Sequence, residues 1–314
     1  MPTTFDVESA DGTLLRAWQD DGDADDERVP LLLSNGLGTI PESWPGLVGR
    51  DSGYRTVTWY YRGTFGSQRP ADPARVRIED HVDDAIAVMD AAGVERALVA
   101  CWSIGVNIGF ELALRHPERV AGLMAVAGVP GGTFSTMGGP LRIPRPLRHV
   151  LATGVARWAR AIGPALTWVA HRVPVDERTA WLVTHSGFML PAARTEVVEP
   201  MLREFVRQDW KWYFHLAVAA SEHRPMDVSS LECPVTLLAG RHDVLTSMHD
   251  VVDAAARIPH AQITVLPGSH FLPMEHPELV QVALDELARR SDLGPPARPA
   301  PRSAGTAGTS AALS

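Results

Sequence analysis

Residues 97–105 read Ala97-Leu-Val-Ala-Cys-Trp-Ser-Ile-Gly105. The first five are small or branched apolar residues, a run that suits a strand buried on both faces of a sheet. Gly105 opens a stretch of helical length that reaches His116 and is halted by Pro117. Ser103 is therefore predicted on a sharp turn between a strand and a helix. Such a turn needs compact residues two positions before and after the serine, so that strand and helix can pass each other. Here those positions hold Cys101 and Gly105.

Working outward, Thr4 to Ser9 and Thr13 to Gln19 flank an Asp11-Gly12 turn and predict an antiparallel hairpin. Pro30 to Ser34, Tyr54 to Tyr60 and Val120 to Ala127 predict further strands, and Ile78 to Ala92 carries apolar residues at helical spacing. Pro234 to Ala239 and Gln262 to Leu266 predict two more strands, each followed by a helix. This alternation predicts an α/β fold: a mostly parallel central sheet flanked by helices. The rhythm breaks after Gly128, where residues 129–225 show helical periodicity and hold Trp158, Trp168, Trp181, Trp210 and Trp212. The expected organisation is a core of residues 1–128 and 226–291, a helical insertion over 129–225, and a disordered Pro/Ala/Gly-rich tail over 292–314.

A serine hydroxyl at the 97–105 turn needs a base beside it and a third group to hold that base in the right tautomer. Cys101-Trp-Ser-Ile-Gly105 resembles the nucleophile elbow of the α/β-hydrolase family, with cysteine in place of the first glycine. In that family the acid and then the histidine follow the serine along the chain. Gly240-Arg-His-Asp-Val244 resembles the family's acid loop and Pro267-Gly-Ser-His-Phe271 its histidine loop. The resemblance implies Ser103 as nucleophile, His270 as general base and Asp243 as the orienting acid. Three rivals are weaker. His242 adjoins the acid in sequence, and neighbours along a loop rarely aim at one point. Asp250 lies inside a predicted helix. Cys101 as nucleophile would put Val99 at a position that needs a small residue.

Ser34-Asn-Gly-Leu-Gly38 stands where relatives often carry His-Gly, which makes the Leu37 backbone N–H a candidate oxyanion donor beside that of Ile104. Tyr61-Arg-Gly-Thr-Phe-Gly-Ser67 resembles the family's Asp-x-Arg-Gly-x-Gly-x-Ser loop without its acid, and Arg62 reads as a structural brace. The resemblance covers residues 1 to 290 and implies that the insertion is a lid. It implies acyl transfer on a small to medium, largely apolar carboxylic ester, with no organic cofactor and no metal. A serine at the elbow argues against the dehalogenases and epoxide hydrolases of this fold, which use aspartate there. Lactonase, thioesterase, carbon–carbon bond hydrolase and cofactor-free haloperoxidase or perhydrolase chemistry run on the same three residues. A non-catalytic receptor or interaction protein is the alternative of another class.

The 314 residues are 45% hydrophobic and 21% charged, the composition of a globular chain. A net charge of -8 gives no overall field for nucleic acid, so the expected partner is a small-molecule substrate. No run of about 20 apolar residues predicts a membrane span. MPTTFDVESADG has no basic segment leading an apolar one, so a cytoplasmic location is expected. Asp20 to Glu27 reads as a solvated acidic loop, and Cys101 and Cys233 as reduced, buried thiols.

Overall fold

A computed structural model describes residues 2–20, 27–138 and 143–296. Its eight strands are β1 (Thr3–Glu8), β2 (Leu14–Gln19), β3 (Val29–Ser34), β4 (Tyr54–Trp59), β5 (Ala97–Trp102), β6 (Val120–Val126), β7 (Val235–Gly240) and β8 (Gln262–Leu266). They form one sheet in the order β1-β2-β4-β3-β5-β6-β7-β8. β1 pairs with β2, and β2 with β4, antiparallel; every other pairing is parallel. Sequence reading and structure differ by a residue or two at strand ends, where the apolar pattern gives no sharp stop.

β5 lies near the middle of the sheet and all six of its residues are buried. Successive side chains of a strand point to opposite faces, and β5 divides accordingly. Val99 and Cys101 pack with Val82, Val88 and Phe110 on one face, while Leu98 and Trp102 pack with Leu284 and Leu287 on the other. The first face is covered by α1 (Ile78–Ala91), whose Ile78, Val82, Ala85 and Val88 make an apolar stripe, and by α2 (Gly105–Arg115).

Between β6 and β7 the described residues carry five α-helices and no strand: α3 (Arg145–Ala161), α4 (Gly163–Ala170), α5 (Glu177–Thr184), α6 (Thr195–Val206) and α7 (Trp210–Ser221). The segment leaves and rejoins the sheet at one point. Gly132 N–H donates to His223 O at 3.2 Å and Met226 N–H to Pro130 O at 3.2 Å. Gly131 is required there: its φ is +79°, and a β-carbon on it would lie 2.1 Å from Arg224 O. After β7 come α8 (Met248–Ala255), α9 (Leu272–Glu275) and α10 (Pro277–Arg290). Among the described residues no helix is long and apolar enough to cross a membrane.

Three expectations need correction or limits. Asp20 is not solvated: it is buried and accepts the Gly49 N–H at 2.9 Å, and burial raises its carboxyl above the usual aspartate pKa. The rest of that acidic stretch, residues 21–26, and the tail from 297 onward lie outside the described residues. Cys101 is fully buried but Cys233 only partly so.

Candidate active site

Ser103 stands just past the carboxyl end of β5 with φ +57°, a left-handed backbone that is costly for a side chain bearing a β-carbon. The turn around it is overdetermined. Ser103 N–H donates to Val126 O at 3.0 Å, and Val106 N–H returns to Ser103 O at 3.1 Å. Gly105 lets α2 start against the end of β3, since a β-carbon there would lie 2.2 Å from Ser34 O. The cysteine in place of the elbow's first glycine is accommodated from the facing helix. A β-carbon on Gly109 would lie 2.2 Å from Cys101 Sγ, so Gly109 supplies the missing clearance. Burial also pushes the Cys101 thiol far above its ordinary pKa, which keeps it protonated and poorly nucleophilic.

His270 follows β8 and Asp243 follows β7, so both reach Ser103 from the carboxyl edge of the sheet. His270 Nε2 is 2.8 Å from Ser103 Oγ, and His270 Nδ1 is 2.8 Å from Asp243 Oδ2. A carboxylate only accepts, so Nδ1 carries the proton and Nε2 is left to accept from the serine hydroxyl. Asp243 Oδ1 is held by the N–H groups of Leu245 at 2.8 Å and Thr246 at 2.7 Å. The acid and histidine are both buried, while Ser103 is partly open. The rivals are placed elsewhere. His242 is exposed, and Asp250 on α8 is held by Arg145 and Arg148 of α3.

Leu37 and Ile104 line one small cavity, so the 36–38 turn and the turn after Ser103 lie together. Among the described residues neither the Leu37 nor the Ile104 backbone N–H has an acceptor within the protein. The Asn35 side chain is already used: it donates to Thr58 Oγ1 at 2.9 Å and accepts from Trp44 Nε1 at 2.9 Å. Tyr61 Oη donates to Asn35 O at 2.5 Å. These bonds fix the turn and leave its outward N–H groups free to serve a ligand. From the other side, a β-carbon on Gly38 would lie 3.0 Å from rings of Phe205 on α6 and Tyr213 on α7.

Arg62 is wholly buried behind this turn. It binds Asp84 Oδ1 at 2.7 Å and Asp11 Oδ2 at 2.5 Å, and also reaches Ser9 Oγ at 3.1 Å. Burial works against its charge, yet Asp84 and Asp11 outweigh burial and hold its pKa above the ordinary arginine value. Asp84 is lowered by His81 and Arg62 against its own burial. Arg62 thus braces the β1–β2 hairpin, α1 and the loop before it.

Two residues escaped the sequence reading. Trp102, next to the serine, donates its indole N–H to His270 O at 2.8 Å and packs edge-on to Phe271. Glu275 on α9 is buried and accepts Ser269 N–H at 2.6 Å, Ser269 Oγ–H at 2.6 Å and Leu190 N–H at 2.7 Å. It ties the histidine loop to the segment between α5 and α6. Its sequence setting, Met274-Glu-His-Pro277, reads as surface.

A serine on a strained strand-to-helix turn, meeting histidine and aspartate at the carboxyl edge of a mostly parallel sheet, is the architecture of the α/β-hydrolases. A model of the family described as alpha/beta hydrolase fold matches residues 29–277, and the chain belongs to that family. The provisionally named carbamate hydrolase RutD of Azorhizobium caulinodans is 30% identical over 259 residues, covering 80% of this chain and 88% of the relative. The 3-oxoadipate enol-lactonase 2 of Acinetobacter baylyi is 25% identical over 277 residues, covering 84% and 90%. The crystal structure of the enol-lactonase from Burkholderia xenovorans superposes with a TM-score of 0.66 at 20% identity, covering 90% of this chain and 99% of that one.

Proposed function

We propose that this α/β-hydrolase cleaves a small to medium, largely apolar carboxylic ester or a related acyl compound through an acyl-enzyme on Ser103. The observation that carries the reading is the unbroken hydrogen-bonded path from Ser103 Oγ through His270 to Asp243, at 2.8 Å for each step. His270 Nε2 takes the hydroxyl proton as Ser103 Oγ attacks the carbonyl carbon. Asp243 holds the ring in the required tautomer and stabilises the imidazolium. The oxyanion rests on the Leu37 and Ile104 N–H groups. His270 then hands the proton to the leaving group, and a water activated by the same histidine releases the acid.

The helices α3–α7 serve as a lid in this reading. Support comes from α6 and α7, whose Phe205 and Tyr213 pack on Gly38, with Phe214 beside Tyr213, and give an apolar wall. Relatives named for an enol-lactonase and a carbamate hydrolase extend the acyl compounds worth testing to lactones and carbamates. A fluorophosphonate tests the reading, because attack on phosphorus uses the same activated hydroxyl. Labelling is expected at Ser103, absent in Ser103→Ala, sharply lower in His270→Ala and retained in Cys101→Ala. An adduct mapped to another residue overturns the mechanism. Absence of turnover on every activated ester, lactone and thioester offered to the labelled-competent protein would favour a binding role instead.

A further inference from the structure

Buried hydrogen-bond donors in a folded protein are nearly always paired, and a donor beside a reaction centre that no protein group accepts is available to a ligand. The rings around the candidate site mostly obey this rule. Trp44 Nε1 donates to Asn35, Trp102 Nε1 to His270 O, Trp212 Nε1 to Arg62 O at 2.7 Å, and Tyr61 Oη to Asn35 O. Two rings at the start of α7 carry donors that no protein group accepts. Tyr213 is partly exposed, and among the described residues its hydroxyl has no hydrogen-bond partner within the protein. The Trp210 indole N–H is buried and likewise has none. The two rings touch, with centroids 5.2 Å apart, and Phe205 and Phe214 pack against both.

The position of Tyr213 gives this its meaning. Its Cε2 lies 3.0 Å from where a β-carbon on Gly38 would stand, and the hydroxyl oxygen is two bonds from that atom. The hydroxyl is therefore held at the turn that offers the Leu37 N–H. Burial pushes its pKa up to about 12, so at neutral pH it keeps its proton and can donate.

We propose that Tyr213 is a specificity-determining residue whose hydroxyl donates to an acceptor oxygen on the substrate's acyl group, beside the carbonyl attacked by Ser103. The inference rests on the acyl-transfer reading above and narrows its substrate class to acyl compounds bearing a second, uncharged oxygen such as an ether, ketone or ester carbonyl. An apolar acyl chain of the same shape fills the aromatic wall but leaves the donor unpaired, and a site built to pair with oxygen discriminates against such an analogue.

Tyr213→Phe removes the hydroxyl and keeps the ring, so the packing against Gly38 and Phe205 is retained. The probes are matched p-nitrophenyl esters in which one oxygen replaces one methylene: methoxyacetate against butyrate, and 3-methoxypropionate against pentanoate. In at least one pair the substitution should lower kcat/KM for the ether ester by about 2- to 10-fold, the range of one neutral hydrogen bond, mainly through KM. The hydrocarbon ester of that pair should change by less than 2-fold. An unchanged ratio in both pairs overturns the proposal, and so does an equal fall for ether and hydrocarbon esters, which would mark Tyr213 as packing only. Ser103-dependent turnover of butyrate by the unaltered protein is measured alongside. Its loss would count against the acyl-transfer reading itself, whereas its presence with unchanged ratios removes Tyr213 alone.

Discussion

Along β5 all six residues are buried, whereas on α3 Leu147, Val150, Leu151, Val155 and Trp158 are between 49% and 65% exposed. The same contrast holds for tryptophan: Trp44, Trp59 and Trp102 lie in the sheet's cores, while Trp158, Trp168 and Trp181 face outward on α3, α4 and α5. The inserted segment meets the core through polar seams, among them Arg145 with Asp250, Leu190 with Glu275 and Trp212 with Arg62, and through Ala180, Met189, Val198 and Met201, which are buried in one of the sheet's apolar clusters. The difference separates two kinds of constraint. Positions in the sheet are fixed from both faces, so the residues at its carboxyl edge are held firmly in place. Positions on the inserted helices are fixed on their inner faces alone, where residues such as Ala180, Val198, Met201 and Leu216 are buried, leaving their outer faces free to vary.

The largest effect is therefore expected in the core. Asp243→Asn keeps the shape and the Oδ1 contacts to Leu245 and Thr246. It presents an amide to His270 Nδ1 and favours the wrong tautomer, so kcat on an activated ester should fall about 10⁴-fold by the precedent of serine proteases, with the melting temperature nearly unchanged. Near-normal turnover would remove Asp243 from the mechanism. Set against the 2- to 10-fold change expected at Tyr213, the pair measures how unequally the two regions bear on catalysis.

Much of this site was legible because its signals are local. The run into Ser103 is bounded by Pro117 downstream, and Asp243 and His270 each follow an apolar strand within a few residues. Legibility stopped where the reason for a residue lies on another element. Gly109 reads as an ordinary weak point of a helix, and only the register of α2 on β5 puts it against Cys101. Glu275 reads as a surface acid until α9 folds back on Ser269. Helical periodicity marks an apolar face, but it cannot say whether another face will cover it, and so the tryptophans of α3, α4 and α5 could not be placed.

The Gly109 contact gives the next effect in size. Gly109→Ala forces a methyl within 2.2 Å of Cys101 Sγ in a packed interior, and overpacking of this kind costs about 1–3 kcal/mol. In a Cys101→Ala background the contacts left are Leu123 Cδ1 at 3.0 Å, the far end of a flexible side chain, and the Cβ at 3.4 Å, so most of the cost should vanish. Urea denaturation of the two single variants and the double variant reads the coupling directly. Additive effects would mean that Gly109 is not the counterpart of Cys101.

A smaller effect separates the core's buried ion network from the exposed pairs of the insertion. Thr13 and Arg62, working against burial, lower the Asp11 carboxyl to about 2 from 3.8. A depressed folded pKa means that the unfolded chain takes up the proton first. The stabilisation is thus complete above pH 3.8 and is lost as pH falls toward 2. Asp11→Asn, which leaves Arg62 paired with Asp84, should flatten that stretch of the stability curve, by on the order of 1 kcal/mol once the partial exposure of Asp11 is allowed for. On α6 the Arg203–Glu199 pair is 46% and 30% exposed, and Arg203→Met should leave the curve in place.

The smallest effect is expected at Trp158, and it bears hardest on the contrast between the two regions. Deleting a large aromatic side chain from a core costs about 3–5 kcal/mol, through lost burial and the cavity left behind. Trp102, 1% exposed and bonded to His270 O, should fall in that range when changed to alanine. Trp158 is 65% exposed on α3, so it has little burial to lose and leaves no cavity. Trp158→Ser should accordingly shift unfolding by no more than about 0.5 kcal/mol, the usual range for surface changes, with an unchanged urea m-value. The side chain faces outward on α3, so kcat/KM on p-nitrophenyl butyrate should also hold. A stability loss above about 1 kcal/mol, beyond the surface range, would show that the α3 face is covered in solution, and the division between a saturated core and an open insertion would then fail.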